Sequence, residues 1–289
     1  MNFRLTLLFF ATTAGAQNAP VLVTGDWLSK NLSDPKVVVI HSSAGKPDYD
    51  AGHVPGSRWI PWNAYTVSIP GGLSTQLPSP DSLQMALQAA GISDDTHIVI
   101  SGGPLQTSGR LFFTLEYMGL TGHVSMLDGG IDAWREAGRP LERPESKAAA
   151  RGSVTLKVTA SKLADLAFVQ ANLSNAAVTI LDARTPEFYA GESSGNMPRA
   201  GHIPGAQNIP FAWLSGDVSV FRDKAKLQRL FDSAGAKKGN KLVTYCHIGM
   251  QASALYTAAR VLGYDVAVYD GSWDEWSRKA ELPIVGKQP

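Results

Sequence analysis

Gly52-His53-Val54-Pro55-Gly56 and Gly201-His202-Ile203-Pro204-Gly205 are one turn written twice. Ile60-Pro61-Trp62 follows the first copy and Ile209-Pro210-Phe211 the second. Further along, Leu127-Asp128-Gly129-Gly130-Ile131-Asp132-Ala133-Trp134 is answered by Tyr269-Asp270-Gly271-Ser272-Trp273-Asp274-Glu275-Trp276. Landmarks repeated in the same order at nearly the same spacing make the chain two copies of one unit. The 289 residues, 44% of them hydrophobic, are ample for two packed domains.

Each copy alternates short apolar runs with longer amphipathic ones. Val37 to Ile40, Ile98 to Ile100 and Val124 to Leu127 have strand length, as do Val178 to Leu181, Leu242 to Tyr245 and Val266 to Tyr269. Helical periodicity covers Pro80 to Ala90, Leu111 to Met118, Lys224 to Ala234 and Ala252 to Leu262, with Gly91, Gly119, Gly235 and Gly263 at the stops. Strand and helix in alternation predict an α/β fold, each domain a mostly parallel sheet flanked by helices. Between the copies, Arg139 to Gly152 is rich in charge, Pro and Ala and has no apolar period. The domains are accordingly placed at 17–144 and 153–289, with a linker at 145–152.

Residues 1–16 read as a signal peptide. Arg4 lies in a short positive start, Leu5 to Phe10 are apolar, and Ala14-Gly15-Ala16 is an A-x-A cleavage pattern. The apolar run is about half of the ~20 residues a spanning helix needs, so no membrane span is expected after cleavage. The mature chain would start at Gln17 and be periplasmic or secreted. With 26 basic and 25 acidic residues and no basic run, nucleic acid is excluded as a partner. The six histidines show no metal-ligand spacing, and no G-x-x-x-x-G-K phosphate loop is present.

The chain has one cysteine, Cys246. It follows the apolar run ending at Tyr245 and opens the loop Cys246-His247-Ile248-Gly249-Met250-Gln251, which feeds a helix. Unpaired N–H groups and the positive end of a helix dipole converge on such a sulfur, stabilise an anion over it and are expected to lower its pKa. His247, Ile248, Gly249, Met250 and Gln251 are therefore candidate substrate-binding residues beside a catalytic Cys246. Aligning Leu242-Val243 with Ile98-Val99 sets Gly102 opposite Cys246, so the first copy keeps the scaffold without the nucleophile. Trp273 and Arg184 stand opposite Ile131 and Ser43 and join the candidates. His53, His202, Trp134 and Trp276 occur in both copies and read as structural.

The paired G-H-[VI]-P-G turns, Leu181-Asp182-Ala183-Arg184, Cys246-His247-Ile248-Gly249-Met250-Gln251-Ala252 and Tyr269-Asp270-Gly271-Ser272-Trp273 together resemble the rhodanese family, specifically its tandem thiosulfate and 3-mercaptopyruvate sulfurtransferases. The resemblance spans both halves. It implies two tandem rhodanese-like domains, the first non-catalytic and the second carrying sulfur as a Cys246 persulfide with no cofactor. Thiosulfate is the expected donor, with cyanide, a small thiol or a thiol protein as acceptor. The mercaptopyruvate branch has a small C-G-S-G loop, and acidic and histidine residues in an interface loop. Here that loop is Gly72-Leu73-Ser74-Thr75-Gln76-Leu77-Pro78 and has neither. A substrate-binding arginine of the family is replaced by Phe188, leaving His247 as the only basic candidate in the loop. Arg184 and Arg199 are the remaining cations. Arg184 reads equally as a structural ion pair, and Arg199 as a solvated surface residue.

Two rivals come from other classes. A cysteine phosphatase would use the same loop physics but needs an arginine six positions after the cysteine, where this chain has Ala252. A non-enzymatic persulfide carrier or binding module would keep the same loop.

Overall fold

The structure, a computed structural model, describes residues 19–143, 150–216, 221 and 223–287. The signal-peptide expectation at 1–16 and most of the linker expectation at 145–152 lie outside them.

Among the described residues, ten strands make two five-stranded sheets. The first holds β1 (Leu22–Val23), β2 (Val37–His41), β3 (Arg58–Trp59), β4 (His97–Ser101) and β5 (Val124–Leu127). The second holds β6 (Leu163–Ala164), β7 (Val178–Asp182), β8 (Gln207–Asn208), β9 (Lys241–Tyr245) and β10 (Asp265–Tyr269). The orders are β1-β5-β4-β2-β3 and β6-β10-β9-β7-β8, which is the same order twice, and every pairing is parallel. The two sheets reproduce the sequence duplication strand for strand, as two domains of one α/β fold.

Side-chain alternation along the strands decides which core each residue joins. In β4, Ile98 and Ile100 face inward and Val99 outward; in β9, Leu242 faces inward and Val243 and Tyr245 outward. The outward residues form one separate core per sheet, around Trp134 in the first half and Trp273 and Trp276 in the second. The inward residues of both sheets belong to one core shared by the two halves.

Two helices fill the space between the sheets, Leu105–Leu115 and Met250–Val261. Their backbones come so close that a Cβ on Gly109 would lie 3.0 Å from the Cα of Ala254. Periodicity placed the first of these helices over Leu111 to Met118 and missed its opening turns, because Ser108-Gly109 reads as a breaker. Close approach to the partner helix is what requires the glycine there. A buried ion cluster crosses the same seam: Glu116 accepts from Tyr256 Oη (2.5 Å) and from Arg260 Nε (2.8 Å), with Lys162 at 3.6 Å.

The repeated turns do the same work in both halves. His53 stacks on Tyr49 at 3.7 Å and its Nδ1 meets the Tyr49 carbonyl; His202 stacks on Tyr189 at 3.8 Å and its Nδ1 meets the Tyr189 carbonyl. Their backbones pair with Glu142 and Val285 respectively. Both histidines hold the chain's turns in place.

His41 at the end of β2 is buried, and neither ring nitrogen meets a hydrogen-bond partner among the described residues. Burial, helped by His53, pushes its pKa down to about 4. The unfolded chain binds this proton near pH 6.5 and the folded chain does not, so the stability is present above pH 6.5 and is lost as pH falls towards 4. We expect the urea midpoint to be lower at pH 5 than at pH 7, and the difference to shrink in His41→Leu. An equal drop in both proteins would assign the acid sensitivity elsewhere.

Candidate active site

Cys246 leaves the C-terminal end of β9, the strand between β7 and β10, and is 1% exposed. Gly249 caps the helix that follows, at φ +85°. That left-handed conformation needs glycine, and the space confirms it: a Cβ there would lie 2.8 Å from Asp270 Oδ1 and 3.0 Å from Arg110 Nη1. The chain therefore turns sharply between the sulfur and the helix, and the backbone amides of Ile248, Gly249, Gln251 and Ala252 all donate towards the sulfur.

Outward carbonyls aim two of those amides, the His247 carbonyl turning the Ile248 N–H inward and the Ile248 carbonyl the Gly249 N–H. Gln251 and Ala252 are in the first turn of the helix. In a trans peptide the C=O and the following N–H are antiparallel, so anchoring one aims the other. The Cys246 carbonyl accepts from Trp273 N–H and the His247 carbonyl from Asp274 N–H, both at 2.9 Å. The Ile248 carbonyl accepts from Thr75 Oγ1, and the Gly249 carbonyl from Ser253 Oγ at 2.7 Å. Cys246 N–H itself donates to Ser272 Oγ at 3.2 Å.

The thiol does not behave as the loop alone implies. Burial is the largest influence and pushes the Cys246 thiol above its ordinary range, and the four amides offset only part of it. The expectation of an acidified thiol is thus overturned. A helix N-terminus acidifies a wet sulfur, whereas this one is enclosed. The amides matter most once negative charge sits there, on a thiolate, a persulfide or a bound anion.

The structure places the other candidates as follows. His247 is half-buried, edge-on to Phe188 at 4.5 Å. Burial, and next the charge of Arg184, push its pKa down to about 4, so the ring is neutral near pH 7 and adds no cation to the loop. Ile248, Met250 and Gln251 are also half-buried, while Gly249 is buried. Trp273 is buried beside the loop, with its indole N–H on the Arg199 carbonyl (2.9 Å). Arg184 is buried, paired with Asp182 at 2.6 Å, bonded to the Gly201 carbonyl and lying 4.7 Å over the Trp273 ring. Of its two sequence readings, the ion pair at the strand end is the one its contacts match. Arg199 is no solvated surface residue: its guanidinium donates to the carbonyls of Trp276, Ser277, Lys279 and Leu282, tying down the end of the second domain. Among the described residues no group of His, Cys, Asp and Glu side chains could hold a metal ion.

Three residues near the loop carry no role in the sequence reading. Arg110, on the helix between the halves, is fully buried and pairs with Asp270 through both carboxylate oxygens, one of them at 3.2 Å. Thr75 belongs to the first half. An arginine alone among apolar positions of a helix signals a distant carboxylate, which is the clue that would have found Arg110. Asp270 was hidden because Asp128 repeats it in the first half.

Gly102, opposite Cys246, has φ +89°, and a Cβ there would lie 2.5 Å from the His41 ring. The first half's loop is also a residue shorter, with the helix starting at Leu105 after Gly102, Gly103 and Pro104. Gly102→Cys in a Cys246→Ser background is therefore expected to transfer no sulfur. Turnover by that double variant would show an intact second site.

A single cysteine ringed by inward amides at the carboxyl end of a parallel strand defines a thiol-based, anion-stabilising centre on a duplicated α/β scaffold. Rhodanese-like domains match residues 24–137 and 165–279, and the chain belongs to the rhodanese family of sulfurtransferases. Among its relatives, "Sulfur carrier protein TtuD" of Thermus thermophilus is 31% identical, across 94% of this chain and 98% of its own. A Pseudomonas aeruginosa protein provisionally named 3-mercaptopyruvate sulfurtransferase is 31% identical across 91% and 97%. A Saccharopolyspora erythraea protein provisionally named thiosulfate sulfurtransferase is 29% identical across 93% and 97%. The anaerobic ergothioneine biosynthesis enzyme from Chlorobium limicola, solved with trimethyl histidine, superposes with a TM-score of 0.83 over 93% of this chain and 71% of that one. At 22% identity that likeness is one of fold.

Proposed function

We propose that the protein moves a sulfane sulfur from thiosulfate to a thiophilic acceptor through a persulfide on Cys246, without a cofactor, and does so in the periplasm or outside the cell. The observation that carries this reading is the set of four backbone amides aimed at one enclosed sulfur. The thiol first loses its proton to solvent. The thiolate attacks the outer sulfur of thiosulfate, the sulfur–sulfur bond of the donor breaks, and sulfite leaves with the electron pair. The amides then hold the persulfide anion until cyanide or a thiolate attacks its outer sulfur and returns Cys246 as thiolate. Because the thiol titrates high, sulfur loading should quicken as pH rises above neutral.

Thiosulfate as donor rests on the family resemblance and on the loop differing from the small C-G-S-G type. The site offers that dianion backbone dipoles more than cations: His247 is neutral, Arg184 is paired, and Arg199 is bonded to carbonyls. Weak thiosulfate binding, with a high KM, is the expected result, and mercaptopyruvate should be the poorer donor. Steady-state kinetics with both donors and cyanide test this, and a clear preference for mercaptopyruvate would reverse the assignment. The Thermus relative, named a sulfur carrier protein, favours a second reading, a persulfide carrier that hands its sulfur to a partner. One-time loading from thiosulfate without turnover to cyanide would select it.

A further inference from the structure

The two halves exchange loops across their seam. In the first half, a loop closed by the Val67–Gln76 bridge sends Leu77 N–H to Asp270 of the second, at 3.1 Å. In the second half, the Ser215–Phe221 bridge brings Phe221 N–H to Asp128 of the first, also at 3.1 Å. These two contacts are symmetric and follow from the duplicated aspartates. A third has no such counterpart among the described residues. Thr75 Oγ1 donates to the carbonyl of Ile248, inside the cysteine loop.

Thr75 is held for that contact. It is 7% exposed and sits at φ +53°, a conformation a β-branched residue rarely adopts. Its carbonyl accepts from Arg110 Nη2 at 2.5 Å, and the same guanidinium holds Asp270. Strain of this kind persists only where the surroundings over-determine the position. Of the four loop carbonyls, those of Cys246, His247 and Gly249 are anchored from within the second half, and that of Ile248 is anchored by the first.

We propose that Thr75 is a positioning residue supplied by the catalytically silent half: by fixing the Ile248 carbonyl it turns the Ile248–Gly249 peptide so that the Gly249 N–H faces the Cys246 sulfur. The inference rests on the reading of Cys246 as the reactive sulfur. The Thr75 hydroxyl bonds a carbonyl of the loop and not the sulfur itself. It acts through the antiparallel geometry of one peptide unit and through the polarisation that a bound carbonyl passes to its own N–H. Arg110 fixes Thr75 in turn. The first half is then a working part of the site, although it has no nucleophile of its own.

The test is the pH profile of Cys246 alkylation by iodoacetamide in the full chain, compared among wild type, Thr75→Ser and Thr75→Val. Serine keeps the hydroxyl, and valine keeps the shape without it. Losing one aligned amide withdraws part of what stabilises the thiolate, so the valine midpoint should move up by roughly half to one pH unit. The serine variant should stay with wild type. A merely structural role would lower the melting temperature and leave the midpoint alone. If the valine variant does not fold, Thr75→Ala removes the same hydroxyl and relieves the branched side chain at positive φ. Coincident midpoints in wild type and the folded hydroxyl-free variant overturn the proposal. Alkylation needs no sulfur donor, so a protein that shows the shift yet takes no sulfur from thiosulfate keeps the positioning role and loses the donor assignment.

Discussion

Cys246→Ser is expected to fold like the wild type and to lose sulfur transfer by at least about a thousandfold, the scale on which removing a covalent nucleophile is felt. The exchange is nearly isosteric, and a hydroxyl fits the enclosure because the Ile248, Gly249, Gln251 and Ala252 amides can donate to oxygen as they do to sulfur. What disappears is the chemistry. A serine hydroxyl ionises far above a thiol and gives no stable sulfur–sulfur link to carry. Incubation with thiosulfate should add one sulfur atom to the intact mass of the wild type, cyanide should remove it, and the serine variant should stay unchanged. Since the chain has one cysteine, no other thiol can produce the gain. An unchanged wild-type mass together with activity in Cys246→Ser would remove Cys246 from the mechanism.

The second large effect is on stability. Arg110 is fully buried and the Asp270 carboxylate is nearly so, and the pair joins the first half's helix to the strand end beneath the cysteine loop. Arg110→Leu would leave that carboxylate with the Leu77 N–H alone of these partners and release the Thr75 carbonyl. Removing one partner of a buried pair costs about 3–5 kcal/mol, mostly as the penalty of the uncompensated charge. Urea unfolding at neutral pH reads this directly, and a loss below about 1 kcal/mol would show that water or another cation takes over. Asp270→Leu added to Arg110→Leu should recover part of the loss, because no charge is then stranded. Sulfur loading in the single variant should slow as well, since Arg110 holds Thr75.

The duplication made comparison of the copies an internal control, and that control has a blind side. It sets Gly102 opposite Cys246, and it sets His53 and His202 aside as turn residues, which their matched stacking on Tyr49 and Tyr189 explains. It also set aside Asp270, because Asp128 repeats it. Both aspartates capture an N–H from the opposite half, yet only Asp270 stands against the loop glycine and Arg110. A residue kept in both copies can still serve the site in one of them.

Arg184 and Arg199 mark a different limit. In the sequence either could supply charge to the loop, with an ion pair the equal reading for Arg184 and a solvated surface position the reading for Arg199. Folded, one is closed by Asp182 two residues away, and the other is filled by four carbonyls from a segment about eighty residues on. The first pairing was legible as a possibility. The second was not, since carbonyls at a chain turn leave no mark on composition.

By itself the sequence determined the two-copy α/β architecture, the strand runs, and a lone thiol at the mouth of a strand–loop–helix unit. All of these are local: period-2 and period-3.6 patterns, turn glycines and the repeat depend on near neighbours in the chain. Tertiary structure decided how the halves use each other. The shared core, the helix contact at Gly109, the Thr75 bond to Ile248 and the Arg110–Asp270 pair join residues far apart in sequence. Enclosure decided the thiol as well. The loop supplies the same amides in any setting, but the free energy of a charge depends on how much water surrounds it, and packing from both halves sets that.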